Sequence, residues 1–221
     1  MLIDEPVGKI DIARAEEGGL LGLALDPDFE KNHYLYLYYT YSDFLNLYSR
    51  ISRFIESNNK ISEEKILLDK IPAQSIHDGG RIKFGPDDKL YITTGDAANP
   101  SSSQDLKSLS GKILRINSDG TIPKDNPFAD SLVYSYGHRN PQGLDWDPVT
   151  GELFETEHGP SGEFGMSAHD EVNLIEPGKN YGWPNIVGDG NDPKYLDPIL
   201  QTGDVTWAPS GASFYNSDKV P

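Results

Sequence analysis

The sequence predicts an all-β fold, a β-propeller of four-stranded blades, on three observations. A glycine, strand, Pro-containing turn, strand pattern occurs as GGLLGLALDPDFEKNHYLYLYYTY from Gly18 to Tyr41. It returns as GRIKFGPDDKLYITTGD from Gly80 to Asp96 and as GLDWDPVTGELFETEHG from Gly143 to Gly159. The anchor glycines Gly22, Gly80, Gly143 and Gly211 recur about every 60 residues, which leaves room for four short strands per unit. Helix periodicity is weak throughout. A unit of four short antiparallel strands cannot bury both of its faces alone, so neighbouring units must stack, and radial stacking of such units is a propeller. A two-sheet sandwich is the alternative, but a sandwich has no need of a repeated sequence.

Taken in order, Gly18 to Tyr41 reads as two strands, both expected to be largely buried, around an Asp-Pro turn. RISRFIESNNKISEEKILL, from Arg50 to Leu68, holds two more, with Asn58-Asn59 as the hairpin turn. After the second copy, Ala97 to Leu109 is rich in Ser and reads as a solvated loop. Gly111 to Ile122 reads as a strand followed by a tight Asp119-Gly120 turn. In the third copy, Gly143 to Trp146 and Glu152 to Thr156 are strands joined by Asp147-Pro148-Val149-Thr150-Gly151, where proline presets φ and glycine accepts a positive φ. The acidic run 188–192 lacks the spacing of an EF-hand and reads as a surface loop. The fourth copy, from Gly211, stops after one strand and a turn. Residues 1–221 are thus expected to form a single domain of about three and a half blades, an incomplete ring with an open edge.

Composition narrows the function. Thirty-five acidic against nineteen basic residues give a formal charge of −16, which repels phosphate backbones and anionic lipid and argues against a nucleic-acid partner. Cation binding suits that charge, as does solubility alone. Without cysteine there is no disulfide, thiolate metal site or cysteine nucleophile. The longest apolar run, around Leu20 to Leu25, is too short to span a bilayer, and Met1 is not followed by the regions of a signal peptide, so no membrane insertion is expected.

The richest stretch is Ser135 to Pro184, which holds three of the five histidines, an Arg139-Asn140 pair before Pro141, a Gly159-Pro160 corner and Asp170-Glu171. Its polar clusters flank a predicted hairpin, so they can meet at one rim of a sheet. For most of these residues a loop that merely follows a strand explains the polarity equally well. His158 and His169 lie too far apart in a glycine-rich loop to read as a zinc pair.

Across the chain, Glu17-Gly-Gly-Leu-Leu-Gly22, His77-Asp-Gly-Gly-Arg81, Thr94-Gly-Asp96, Gly111-Lys-Ile-Leu-Arg115, Gly137-His-Arg-Asn-Pro-Gln-Gly143, His158-Gly-Pro160, Asp170-Glu171 and Asn180-Tyr-Gly-Trp-Pro184 occur in one order. In this the chain resembles the glucose/sorbosone dehydrogenase family, soluble sugar dehydrogenases that use pyrroloquinoline quinone (PQQ). The resemblance covers nearly the whole length. It implies a six-bladed propeller, here without its last blades, carrying PQQ and Ca2+ on one face. It further implies an enzyme that oxidises the anomeric carbon of aldose sugars, passes electrons to an external acceptor and, if the complete protein follows the family, is periplasmic or secreted.

Position by position, the resemblance makes His77 the catalytic base and Arg139 and Asn140 contacts of the quinone. It makes the Gly159 and Pro160 carbonyls calcium ligands with the Asp170 carboxylate, and it puts Asp96 on the substrate side of the pocket. Thr206 matches a quinone contact loosely. Glu17 stands where a glutamine is common at the sugar pocket, and a carboxylate there is costly unless paired or protonated. His158 replaces a glutamine at the cofactor, and the nine residues 161–169 before Asp170 exceed the spacing in better-known members. Elementary chemistry agrees with these roles, since removing hydride from an alcohol carbon requires a base for the hydroxyl proton, and histidine suits neutral pH. Two other readings stay open at this point: a propeller that binds carbohydrate or protein without chemistry, and a calcium-dependent hydrolase such as a lactonase.

Overall fold

The computed structural model describes residues 5–217. Among these residues, twelve strands form three four-stranded antiparallel sheets, each in simple sequential order. The first sheet is β1 (Leu20–Leu25), β2 (Tyr34–Asp43), β3 (Asn46–Ser57) and β4 (Lys60–Pro72). The second is β5 (Ile82–Phe84), β6 (Leu90–Thr94), β7 (Lys112–Ile116) and β8 (Val133–Tyr136), and the third is β9 (Pro141–Trp146), β10 (Leu153–Glu157), β11 (Glu171–Ile175) and β12 (Leu200–Gln201). β1 packs on β5 and β5 on β9, so the first strand of every sheet faces a common axis. This is the expected all-β propeller, open rather than closed.

Alternation of side chains along each strand decides what is buried between blades. Tyr36 and Tyr38 of β2 and Ile51 of β3 point one way, into a core shared with Ile82, Leu90, Ile92, Leu114 and Ile116 of the second blade. Tyr91 and Ile113, one step out of phase, turn to the other face and meet Leu144, Leu153, Ile175 and Tyr181 of the third. Gly22 and Gly143 stand where a side chain would not fit. A Cβ on Gly22 would stand 2.3 Å from the Gly80 carbonyl oxygen, and one on Gly143 would stand 2.2 Å from Thr156 Oγ1. Asn58 and Asn59 both adopt positive φ (51° and 59°) between β3 and β4, as a two-residue primed turn requires.

Three expectations need correction. β1 is not largely buried: Leu20, Leu23 and Leu25 are at least half exposed, because among the described residues no blade lies against the face of the first blade turned away from the second. Gly211 opens no fourth strand; residues 211–217 run irregularly, held by the Phe214 N–H on Asp145 and a Phe154–Phe214 ring contact, while 218–221 lie outside the described residues. Residues 97–109 are not simply a solvated loop. Pro100–Gln104 forms a 3-10 turn whose carbonyls converge on Lys112, a fully buried side chain that donates to the Ser102, Ser103 and Ser110 oxygens at 2.9, 3.0 and 2.6 Å. Burial alone pushes the Lys112 ammonium down to about 7, and the three carbonyls stand in for the water it has lost.

Lys112 is therefore a clasp holding the 95–111 link against β7. Lys112→Met takes a charged donor from all three carbonyls and leaves that of Ser110 without one, since Ser102 and Ser103 still accept the Asp105 and Gly137 N–H groups, and it is expected to lower the unfolding free energy by about 2–5 kcal/mol in urea denaturation. An unchanged midpoint would show that the clasp carries no stability.

Candidate functional site

The links between β4 and β5, β6 and β7, β8 and β9, and β10 and β11 leave the sheets at the same rim, and each carries residues singled out in the sequence. His77, Asp96, Arg139 and Asn140 are all buried there and meet. His77 Nδ1 lies 2.8 Å from Asp96 Oδ1, the Asp96 N–H donates to the Arg139 carbonyl at 2.7 Å, and the Gly79 N–H donates to Asn140 Oδ1 at 3.1 Å.

Backbone geometry fixes the histidine before any ligand arrives. His77 has φ of 60°, a left-handed conformation that costs a non-glycine residue about 1 kcal/mol or more. Its N–H donates to Glu17 Oε2 at 2.7 Å and its carbonyl accepts from the Ala97 N–H at 3.1 Å. Gly95 makes the crossing possible, since a Cβ there would lie 1.9 Å from the His77 carbonyl oxygen.

The Asp96 carboxylate is enclosed rather than open to a cleft. It is 0% exposed and sits behind His77, with Oδ2 accepting from the Trp183 indole N–H at 2.8 Å and Oδ1 also accepting from the Ala98 N–H. Two donors keep this carboxylate in place, and it in turn sets the ring of His77 so that Nε2 lies toward Glu163, 3.7 Å from its Oε1. The role that fits is orientation of the histidine.

In front of His77 stands a residue that sequence reasoning missed. Glu163, in the short turn Glu163–Gly165, places Oε1 2.5 Å from Arg139 Nη2 and 3.7 Å from His77 Nε2. Arg139 itself is 3% exposed; its Nη1 donates to the His158 carbonyl at 3.1 Å, its guanidinium lies 5.6 Å from the Trp183 ring, and its Nε has no partner. The arginine holds the Glu163 carboxyl below its usual range. The only signal in the sequence was the extra length of residues 161–169, which does not say which residue turns inward.

The other expected site residues are placed as follows. Glu17 is exposed and paired, accepting from the His77 N–H and, at 3.4 Å, from Asn140 Nδ2, which relieves its cost near the pocket. His158 turns its ring to the Pro209 carbonyl (2.7 Å) and faces Arg139 only with its own carbonyl, so its side chain is not aimed into the cleft. Asp170 does lie at the Gly159–Pro160 corner, where it accepts the Gly159 N–H at 2.9 Å and those of Trp207 and Ala208 at 2.6 and 2.8 Å. Those backbone donors hold its carboxyl below the usual range. Thr206 is exposed and makes no hydrogen bond among the described residues, so the structure does not join it to the cleft. The cleft is lined by Arg139, His158, Gly159, Pro160 and Trp183.

Behind this rim lies a second unforeseen group. Pairing of β10 with β11 sets Glu155 opposite Asn173 and Glu157 opposite Glu171, all turned to one face. Glu157 takes the N–H groups of Arg139 and Asn140 on one oxygen and His138 Nδ1 on the other at 2.9 Å. Among the described residues, His138, Glu155 and Glu157 offer ligand atoms within 4.8 Å of one another, a set with the donor chemistry of a cation site. Burial first, then neighbouring carboxylates, pushes Glu155 well above the usual range and Glu171 up to about 8. Period-two reading of Glu155 and Glu157 could have put both on one face, but not their partners.

Residues 2–221 match the family model described as Glucose / Sorbosone dehydrogenase. The chain belongs to that family. It is 33% identical to the aldose sugar dehydrogenase YliI of Escherichia coli over 97% of this chain and 62% of that protein, and 37% identical to quinoprotein glucose dehydrogenase B of Acinetobacter calcoaceticus over 81% and 42%. The solved PQQ-bound aldose sugar dehydrogenase of Streptomyces coelicolor superposes with a TM-score of 0.82 at 42% identity, covering 90% of this chain and 58% of that one. The chain spans about half the length of these curated relatives.

One electrostatic consequence is testable. Asp78, beside His77, is 3% exposed, with Oδ1 on the Gln74 N–H and Oδ2 unpartnered; burial and then the charge of Glu17 push its carboxyl up to about 7. Between about 4 and 7 the folded protein holds a proton that the unfolded chain has released, so stability falls as pH rises through that window and the cost is complete above it. Asp78→Asn is expected to raise stability by about 1–4 kcal/mol at pH 8 and by little at pH 4, read by thermal melts at both. An equal effect at the two pH values would contradict this.

Proposed function

We propose that the complete protein oxidises the anomeric carbon of aldose sugars with PQQ as cofactor and an external electron acceptor. The observation that carries this is the histidine whose Nδ1 is fixed by a buried carboxylate while its Nε2 lies 3.7 Å from the Glu163 oxygen that pairs with a buried arginine. Membership of the family and the PQQ-bound relative support the same reading.

The residues present fit an anionic quinone. Arg139 offers a buried guanidinium with an unused Nε–H, and Asn140 adds a neutral amide donor. For calcium, the Gly159 and Pro160 carbonyls and Asp170 are the proposed ligands. Asp170 already accepts three backbone N–H groups, so of the roughly four acceptor positions on a carboxylate about one is left for an ion.

Bound PQQ would supply the two-electron acceptor for the hydride of the sugar carbon. His77 Nε2 takes the proton of the anomeric hydroxyl, and Asp96 stabilises the imidazolium that results through Nδ1. Arg139 balances negative charge that develops on an oxygen in the cleft, and acts strongly because it is withdrawn from water. Asn140 and Glu17 keep the backbone of His77 and Gly79 in register with the arginine.

The test is a redox-dye assay on the full-length protein with and without added PQQ, over a panel of aldoses. PQQ-dependent turnover is expected, and His77→Ala is expected to reduce it by roughly 10²–10⁴ with little change in PQQ affinity. Turnover without PQQ, or a His77→Ala protein within a fewfold of the parent, would refute the assignment. A purely carbohydrate-binding propeller would bind sugar and reduce no dye, and a lactonase would open lactones in the absence of PQQ.

A further inference from the structure

Arg139 is a buried cation, and a buried cation must keep an anion beside it. Its side chain is 3% exposed, and its only carboxylate partner among the described residues is Glu163, so removing that partner with nothing in exchange leaves an uncompensated charge in a low-dielectric place. The oxygen concerned, Glu163 Oε1, is also the one that faces His77 Nε2 at 3.7 Å. One carboxylate oxygen thus occupies the space between the proposed base and the proposed anion receptor.

The segment carrying Glu163 is built apart from the blades. Residues 161–167 close on themselves through a Ser161–Ser167 bridge, Gly162 N–H to the Met166 carbonyl at 2.8 Å, Met166 N–H to the Glu163 carbonyl at 2.9 Å, and Ser161 N–H to Glu163 Oε2 at 2.5 Å. Gly162 and Gly165 have φ of 121° and 76° and no heavy atom within 4 Å of where a Cβ would be, so open space surrounds both turns. Phe164 at the tip is 68% exposed, its ring 6.0 Å from that of Trp183. The Glu163 carboxylate is the charged attachment of this flap to the rim.

We propose that Glu163 is a resident stand-in for an anionic ligand: in the free protein it holds the position on Arg139 that a ligand oxygen takes, and the ligand binds by exchanging with it while the flap swings outward. The inference rests on the proposed function for the identity of the ligand, an anionic cofactor carrying carboxylate or quinone oxygens, but not for the exchange itself. Exchange keeps Arg139 neutralised throughout and uncovers His77 Nε2 only when an anion is in place. Glu163 thereby sets the affinity of the site, because every ligand must displace a charge-assisted hydrogen bond.

The experiment measures two quantities on the full chain. Equilibrium binding of PQQ, followed by Trp fluorescence in the presence of Ca2+, is compared between the parent and Glu163→Gln; the variant is expected to bind about tenfold tighter, since a neutral amide competes less well for the guanidinium. Hydrogen exchange at the Gly162 and Met166 amides of the parent is followed as PQQ, and separately oxalate as a simple dianion, is titrated in; both are expected to accelerate it saturably. If PQQ binds while flap exchange stays unchanged, or if Glu163→Gln binds PQQ equally or more weakly, the stand-in role is overturned and the cofactor assignment survives. If PQQ fails to bind but oxalate accelerates the flap, the stand-in role holds and the cofactor assignment falls. If neither probe moves the flap, the stand-in role is overturned; this measurement uses the parent and does not depend on the variant folding.

Discussion

Close backbone approach between neighbouring blades is the constraint on which the rest of this molecule depends. At the axis it is met by Gly22 against the Gly80 carbonyl, and at the rim by Gly95 against the His77 carbonyl. The first contact lets Tyr36 and Tyr38 reach Leu90 and Ile92 in one dry interface. The second presses the β4–β5 and β6–β7 links together until His77 and Asp96, from different connections, share a hydrogen bond. Any side chain at either glycine would part the blades and the site together.

Much of this was legible in the sequence because the constraint leaves a periodic trace. Glycines in or beside the first strand of each sheet recur with the blade, and Asn58-Asn59 announces its turn through residues tolerant of positive φ. His77, Asp96 and Arg139 could be gathered on one rim because each follows or opens a repeat strand. What remained hidden depends on which way a loop folds back. Lys112 reads as a strand lysine until the 100–104 turn brings three carbonyls to it, and Glu163 reads as one more surface acid. The enclosure of Asp96 is hidden as well, because sequence order shows which residues meet, not which stands behind which. The exposure of β1 is hidden for a related reason: an apolar strand is expected to be covered, and whether anything lies against its outer face is not written in the strand itself.

The charge distribution has a similar logic. The formal charge is −16, yet the acids that matter for the site are those that hold its backbone amides. Glu157 takes the N–H groups of Arg139 and Asn140, Asp170 those of Gly159, Trp207 and Ala208, and Glu17 that of His77. Glu157 and Asp170 are withdrawn from the surface while Glu17 stays exposed, yet all three act as clamps on irregular backbone, satisfying amides that no strand ladder can reach. The rim can therefore be irregular enough to form a cleft and still be held in one arrangement.

The depth of Arg139 has a last consequence. Mobile ions screen a charge only where they can come within a Debye length through water, about 8 Å at physiological ionic strength, and a guanidinium with 3% of its side chain exposed is shielded from them by protein on nearly every side. The surface acids around the rim are open to that screening. Added salt should thus weaken the general repulsion that this acidic chain exerts on an approaching anion while leaving the attraction of its receptor nearly intact, so that anion capture grows easier, not harder, as ionic strength rises.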